Sequence, residues 1–223
     1  MQFIHGIDLG NWHPCHNLLL NGCLYTPNAM ALVDSGIAEQ HHPIDTTTIE
    51  DLAQGLHPPT VIAPRAIGEV IRAGILRRGQ QIANGFNEVE QMSDETQQAA
   101  LDCSDVELFF EAERRKFSPA SPSRLSCLYL AERTESGEQM LRHMLGRNIY
   151  TLRVRLTLPL RIARVDSAWF DDFFISRNPE NARKYWLGQQ MDEGGHWEYL
   201  YDGIIKVEDE AQIEHIRKHG ARL

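Results

Sequence analysis

The longest regular pattern in the sequence lies between Ile149 and Ile162, where apolar and polar residues alternate. The residues on one side are aliphatic: Leu152, Val154, Leu156, Leu158 and Leu160. The residues on the other side are polar or cationic: Thr151, Arg153, Arg155 and Thr157. Because the side chains of a β-strand point alternately to the two faces of a sheet, this pattern predicts a long strand with one buried face. Pro159 lacks an amide hydrogen, so we expect it at an edge position or a bulge.

Shorter predicted strands lie on both sides of this segment. They are short apolar runs and cover residues 2–8, 23–25, 124–130, 197–200 and 203–207. The tripeptide Tyr201-Asp202-Gly203 predicts a turn between the last two strands.

Residues 45–117 have a different character, because apolar residues recur there at helical spacing. Thr48 and Ser93 are suitable N-cap residues for helices in this block, and two of its helices are predicted over residues 93–101 and 105–116. The proline pair Pro58-Pro59 is predicted to interrupt the helices of this block. Strands therefore dominate the two ends of the chain, which predicts an α+β fold rather than a regular βαβ repeat. No linker is evident, so we expect one domain over residues 1–223, with the helical block inserted between the first strands and the central strands.

Charge and composition exclude several classes of protein. The net charge is −9 with neutral histidines, which disfavours nucleic-acid binding because phosphate contacts need clustered Lys and Arg. No run of 18 apolar residues occurs, so no membrane span is expected. The N-terminus lacks the features of a signal peptide. The four cysteines are scattered without a C-x-x-C pair, which predicts reduced thiols and a soluble, cytoplasmic protein unless it is secreted by another route.

The common enzyme and metal motifs are absent from the sequence. It contains no Rossmann or P-loop glycine pattern, no G-x-S-x-G, no H-E-x-x-H and no kinase signature. His13-Pro14-Cys15-His16 is the densest group of metal-ligating residues, but no second ligand pair follows at a suitable spacing. We therefore predict no metal site.

Three less familiar segments carry the remaining candidates for chemistry. His5-Gly6 at a strand offers an imidazole and an unshielded backbone to a ligand. Tyr129 is an aromatic ring that could stack on a planar heterocycle, or it could be an ordinary core residue. Glu198 is a carboxylate within an apolar and aromatic strand. An unpaired charge there costs free energy if it is buried, but the residue could instead lie on the solvent-exposed face of an edge strand.

In this order, the three segments resemble the signature of the ADP-ribosyltransferase superfamily, in its diphtheria-toxin-like and PARP-like H-Y-E branch. That branch carries H-G-T on a first strand, a tyrosine followed by a Ser-containing helix, and a glutamate on a late strand. His5-Gly6 matches the first element, with Ile7 in place of threonine. Tyr129 matches the second, together with a helix that is predicted over residues 134–145 and contains Ser136, and Glu198 matches the third.

The resemblance implies an ADP-ribosyltransferase-like split β-sheet core with a helical insertion, and NAD as co-substrate. It implies that Glu198 is the catalytic residue, which stabilises the ribosyl cation formed when nicotinamide leaves. It further implies that Gly6 backbone groups bind the nicotinamide amide, that Tyr129 stacks on its ring, and that His5, helped by Ser126, binds a ribose hydroxyl.

A second branch of the superfamily uses R-S-E and modifies arginine. It carries Glu or Gln two residues before the catalytic glutamate, where this chain has His196, so the arginine-specific reaction is disfavoured. Arg124 and Ser126 leave a mixed arrangement open, in which these two residues contribute to NAD binding.

Residues 111–207, which include the run Pro122-Ser123-Arg124-Leu125-Ser126 and the motif Tyr185-Trp186-x-Gly188, are also similar to the CteC-like family of bacterial effectors, which ADP-ribosylate a threonine of ubiquitin. This similarity implies a mono-ADP-ribosyltransferase toxin or effector that is delivered into a host cytosol, with a protein acceptor such as ubiquitin. An apolar docking surface for the acceptor could come from five aromatic residues, which could equally belong to the core: Trp12, Trp169, Phe170, Phe173 and Phe174.

Two alternatives stay open at this level. One is a related NAD-dependent transferase that acts on nucleic acid or on an RNA 2′-phosphate, which the net charge disfavours. The other is a catalytically inactive module that binds NAD or ADP-ribose. The sequence leaves the oligomeric state open.

Overall fold

The computed structural model describes residues 1–56, 65–82, 91–146 and 149–222. Within these residues, five strands form one antiparallel sheet: β1 (Phe3–Asp8), β2 (Cys23–Tyr25), β3 (Leu128–Glu132), β4 (Ile149–Asp166) and β5 (Trp197–Val207). Their order is β2-β5-β3-β1-β4, and β4 also pairs with β5. The pairing therefore forms a closed cycle through β5, β3, β1 and β4, and β2 adds to the C-terminal half of β5.

The helices lie mainly between β2 and β3 and after β3. They are α1 (Trp12–Asn21), α2 (Pro27–Val33), α3 (Ser35–Ala38), α4 (Ile49–Ala53), α5 (Arg65–Arg77), α6 (Asp94–Phe117), α7 (Glu135–Leu145), α8 (Ala168–Ser176), α9 (Pro179–Trp186) and α10 (Glu210–His219), with a short 3₁₀ helix at Ile44–Thr46. This confirms the α+β class, although the helices between β2 and β3 begin before residue 45. The predicted interruption of the helical block at Pro58-Pro59 lies outside the described residues. The single domain over residues 1–223 stays a prediction.

Strand β4 confirms the strongest sequence pattern. Its more buried and its exposed residues alternate from Leu152 to Leu160, and it is long enough to pair first with β1 and then with β5. The register against β5 shifts on both sides of Pro159, as expected for a bulge. Gly203 of β5 lies opposite Pro159, and a Cβ atom there would lie 2.1 Å from the Leu158 carbonyl oxygen. The two strands approach so closely that only glycine fits.

The sheet has helices on both faces. On the first face, Leu130, Leu152 and Tyr201 form a core with residues of α1 and α10. On the second face, Ala131 packs under α7, and Leu200 packs under the aromatic residues of α6, α8 and α9. Because neighbours alternate along a strand, consecutive residues of β1, β3 and β5 belong to different cores.

Three local predictions are wrong in extent. The sequence predicts two helices over 93–101 and 105–116, but α6 is continuous because no glycine or proline interrupts it. Residues 124–126 form a turn, and β3 begins only at Leu128. Residues 197–207 form one strand without the turn at Tyr201-Asp202-Gly203, because β4 pairs along their whole length.

The five aromatic residues considered for docking mostly belong to the second-face core. Phe173 is buried, and Trp169, Phe170 and Phe174 pack against the same core. Trp12 is 39% exposed. The described helices include none that is long and apolar enough to cross a membrane, and the four cysteines, all within the described residues, form no disulfide.

Candidate functional site

Glu198 of β5 is fully buried, with 0% of its surface exposed. Its Oε1 accepts a hydrogen bond from Arg124 Nη1 at 2.9 Å and another from the Tyr185 hydroxyl. Its Oε2 has no hydrogen-bond partner within the described part of the chain. A buried carboxylate oxygen that has lost its water without replacement costs free energy. This oxygen is therefore an acceptor that a ligand could satisfy.

The guanidinium of Arg124 joins two carboxylates. Its Nε and Nη2 donate to the two oxygens of Glu107, each at 3.0 Å, and its Nη1 faces Glu198 and Tyr185. The centroid of the Phe170 ring lies 3.8 Å from Cζ. Burial opposes the charge, but Glu107 and the other neighbours raise the pKa of Arg124 well above its ordinary value, so the group stays cationic.

A tight turn before β3 positions Arg124. The Ser126 amide donates to the Ser123 carbonyl oxygen at 3.1 Å, and the Ser123 hydroxyl donates to Glu111 of α6 at 2.8 Å. Because Glu107 and Glu111 are one helical turn apart, the same side of α6 receives both Ser123 and Arg124. The turn thereby directs the arginine into the second-face core.

We call Glu107, Arg124, Tyr185 and Glu198 the Glu198 cluster. It contains two carboxylates and one guanidinium, so it holds one excess negative charge when both carboxylates are ionised. Burial raises the pKa of Glu198, while Arg124 and the Tyr185 hydroxyl act in the opposite direction without cancelling the effect. Burial also raises the pKa of Tyr185 well above its ordinary value, so its hydroxyl stays a donor to Glu198.

Three of the predicted site residues besides Glu198 lie close to this cluster. The Tyr129 hydroxyl donates to the Arg124 carbonyl oxygen at 3.0 Å, and the Tyr129 ring centroid lies 5.2 Å from Arg124 Cζ. Ser126 is buried in the turn that carries Arg124. The structure thus brings Arg124, Tyr129 and Glu198 together, but each nitrogen of the guanidinium already has a protein partner.

The structure does not bring His5 to the same place. His5 pairs with Leu130 in the register of β1 and β3, and Leu130 pairs with Tyr199, so these side chains share the first face. Tyr129 and Glu198 alternate with those residues and belong to the second face. The His5 Nδ1 donates to the Tyr129 carbonyl oxygen at 2.8 Å, and burial lowers the pKa of the imidazole.

Gly6 is covered by side chains. A Cβ atom at Gly6 would lie 2.8 Å from Ile149 Cδ1 and 2.9 Å from Leu145 Cδ1. This glycine allows β1 to pack closely under α7 and β4. The two side chains occupy the space next to the backbone that the resemblance assigns to nicotinamide.

Two members of the Glu198 cluster were not predicted from the sequence. Tyr185 comes from α9 and lies 13 residues before Glu198, and Glu107 comes from α6 and lies 17 residues before Arg124. Tyr185 lies in a mostly polar helix, and the sequence marks it only as part of the Tyr185-Trp186-x-Gly188 motif, without a role at a site. A glutamate in a charged helix has no local pattern that would mark it.

The cluster falls within the part of the chain that matches a protein family. Residues 78–216 match the family described as Protein of unknown function (DUF2441). This chain belongs to that family. A search of curated proteins found no match. The DUF2441 match contains the whole Glu198 cluster, whereas His5 and Gly6 precede it.

A cavity of about 410 Å³ opens beside the cluster within the DUF2441 region. It lies between α7 and the beginning of β5, and its walls include Glu132, Ser136, Arg164, His196 and Trp197. We call it the α7 cavity. Glu198 does not line it, although the residue follows Trp197 directly. Within the described residues, including those of the cluster and the cavity, no three His, Cys, Asp or Glu side chains come together as a possible metal site.

Proposed function

We propose that this protein is an NAD-dependent mono-ADP-ribosyltransferase that acts on a protein acceptor, with Glu198 as the catalytic carboxylate. The proposal rests on the hydrogen bonding and burial of that carboxylate. One oxygen is held by Arg124 and Tyr185, and the other is buried without a partner among the described residues. A carboxylate fixed in this way can accept a hydrogen bond from a ribose hydroxyl and stabilise positive charge nearby.

The placement of the three resembling segments supports the same proposal. They lie on β1, β3 and β5, and these strands are consecutive in the sheet. A split sheet of the ADP-ribosyltransferase type is therefore part of the proposal. The position of His5 on the other face counts against a direct contact between its imidazole and a ligand bound at Glu198.

In the proposed reaction, the bond between the ribose C1′ and the nicotinamide nitrogen breaks, and nicotinamide leaves with the electron pair. The oxocarbenium-like ribose is stabilised by Glu198 Oε2, and an acceptor hydroxyl oxygen bonds to C1′. The hydroxyl proton passes to solvent. Since Glu198 is fully buried, NAD can reach its Oε2 only after the side chains that cover this oxygen move.

The experiment measures nicotinamide release from NAD by the purified full chain, alone and with ubiquitin. We expect release by the wild type and at least about a 100-fold loss in Glu198→Gln. Glu208→Gln is the matched control, because this glutamate is exposed just beyond β5. Mass spectrometry of the ubiquitin, and of a eukaryotic lysate incubated with labelled NAD, tests for ADP-ribose on a threonine. Equal nicotinamide release by Glu198→Gln and wild type would rule out the mechanism.

A second candidate is a module that binds NAD or ADP-ribose without cleaving it. The complete burial of Glu198 and its pairing with Arg124 favour this alternative. Binding of NAD without any nicotinamide release, in the presence of the acceptor candidates, would support it over the transferase.

A further inference from the structure

We propose that the α7 cavity is a binding site for the phosphate ester of a sugar. This inference rests on the proposed function in one respect only, since the ADP-ribose part of NAD is a ligand of that chemistry. Its volume of about 410 Å³ lies within the range of small-molecule sites. The argument comes from the charges and donors in its walls.

The first element is a cation that is held in one orientation. The Cζ atom of Arg164, on β4, lies 3.6 Å from the ring centroid of Trp197. This contact holds the planar guanidinium against the indole ring. Among the described residues Arg164 forms no ion pair, and its guanidinium interacts with the hydroxyl of Tyr199, its partner in the register of β4 and β5. Gly195 packs against the indole, because a Cβ atom there would lie 2.4 Å from Trp197 Nε1. A planar guanidinium without a carboxylate partner is suited to paired hydrogen bonds with a phosphate.

The second element is the N-terminus of α7. Thr134 is the N-cap and accepts from the Gly137 amide, and Thr134, Ser136 and Gly137 all line the cavity. A Cβ atom at Gly137 would lie 2.1 Å from the Glu132 carbonyl oxygen, so glycine lets the first turn approach the end of β3. The positive end of the helix and the Ser136 hydroxyl therefore face the same space as Arg164.

The third element is a carboxylate that favours hydroxyl groups on the ligand. Glu132 lines the cavity and accepts a hydrogen bond from the Tyr199 hydroxyl at 2.5 Å through its Oε1. Burial and the neighbouring Glu132 raise the pKa of Tyr199 to about 12, so this hydroxyl stays protonated. A carboxylate with a second oxygen available binds donors, and near a cation and a helix N-terminus it selects a ligand with both hydroxyls and a phosphate.

The test is isothermal titration calorimetry on the full chain with four probes: ADP-ribose, ribose 5-phosphate, inorganic phosphate and adenosine. We expect ADP-ribose and ribose 5-phosphate to bind more tightly than the other two. Arg164→Gln should weaken ADP-ribose binding at least about tenfold, and Ser136→Glu should weaken it by placing a negative charge at the N-terminus of α7. Both positions are exposed, and circular dichroism verifies the fold of each variant.

Arg155→Gln is the matched control, because Arg155 is an exposed residue of β4 that does not line the cavity; it should bind ADP-ribose as the wild type does. Absence of binding by both sugar phosphates, or equal affinity in Arg164→Gln and wild type, overturns the proposal. Its failure is distinguishable from that of the transferase. Nicotinamide release that keeps its rate and its KM for NAD in Arg164→Gln would overturn the cavity assignment alone. Ribose 5-phosphate binding that is lost in Arg164→Gln, without nicotinamide release by the wild type, would overturn the transferase alone.

Discussion

The Glu198 cluster and the α7 cavity both include residues from the beginning of β5. Their charges are balanced in different ways. In the cluster, every nitrogen of Arg124 has a partner from the protein, and a single carboxylate oxygen is left over. In the cavity, Arg164 stacks on Trp197, interacts with the Tyr199 hydroxyl and lines the open space without a carboxylate partner among the described residues. The charges of the Glu198 cluster therefore mostly pair with one another and stabilise the fold, whereas the charge of Arg164 is available to a ligand.

Replacing Arg124 should have the largest effect on stability. Arg124→Met leaves Glu107 and Glu198 close together in the core without their shared cation. We expect the free energy of unfolding in urea to fall by about 3–5 kcal/mol, because an uncompensated buried charge is costly. Arg155→Met is the surface control, and its effect should stay within about 0.5 kcal/mol. Equal losses in the two variants would contradict the view that Arg124 holds the cluster together.

Gly137→Ala tests the closeness of α7 to the sheet. The added Cβ would lie 2.1 Å from the Glu132 carbonyl oxygen, which is backbone and cannot move aside cheaply. We expect the free energy of unfolding to fall by about 2–3 kcal/mol, together with weaker ADP-ribose binding. Gly146→Ala lies beyond the other end of the helix, where an added Cβ meets nothing within 4 Å, but its positive φ of 96° makes it a test of backbone strain alone. Full binding in Gly137→Ala would show that the helix terminus is not part of the site.

Much of the local structure follows from the sequence, because it depends on neighbouring residues. The alternation in β4 and the N-caps at Thr48 and Ser93 are signals of this kind. The site is less predictable. The contact between Arg124 and Glu198 spans 74 residues, and the face on which His5 lies depends on strand register. A slip of one residue would exchange the two faces.

Tyr185→Phe removes one hydroxyl from the cluster and keeps the ring. The hydroxyl donates to Glu198 and accepts from Arg124, so its loss leaves Glu198 Oε1 with one donor. We expect a fall of about 1–2 kcal/mol in the free energy of unfolding and a further rise in the pKa of Glu198, because the hydrogen bond favours the ionised form. Tyr150→Phe is a control for removing a phenol hydroxyl elsewhere, since Tyr150 stacks on His215 through its ring. No difference between the two variants would contradict the role of Tyr185.

The smallest effect should appear in the pH dependence of stability. Burial raises the pKa of Glu198 above its ordinary value of 4.5, so the folded protein holds this proton at pH values where the unfolded chain has lost it. The wild type should therefore lose stability relative to Glu198→Gln as the pH rises from about 4.5 towards neutrality, by at most about 1.4 kcal/mol per pH unit. Urea unfolding of both proteins over that range measures the difference, with Glu208→Gln as the variant that removes a surface carboxylate. A difference that is constant with pH would mean that Arg124 and Tyr185 fully compensate for the burial of Glu198, and that the free oxygen is not a source of instability in the unliganded protein.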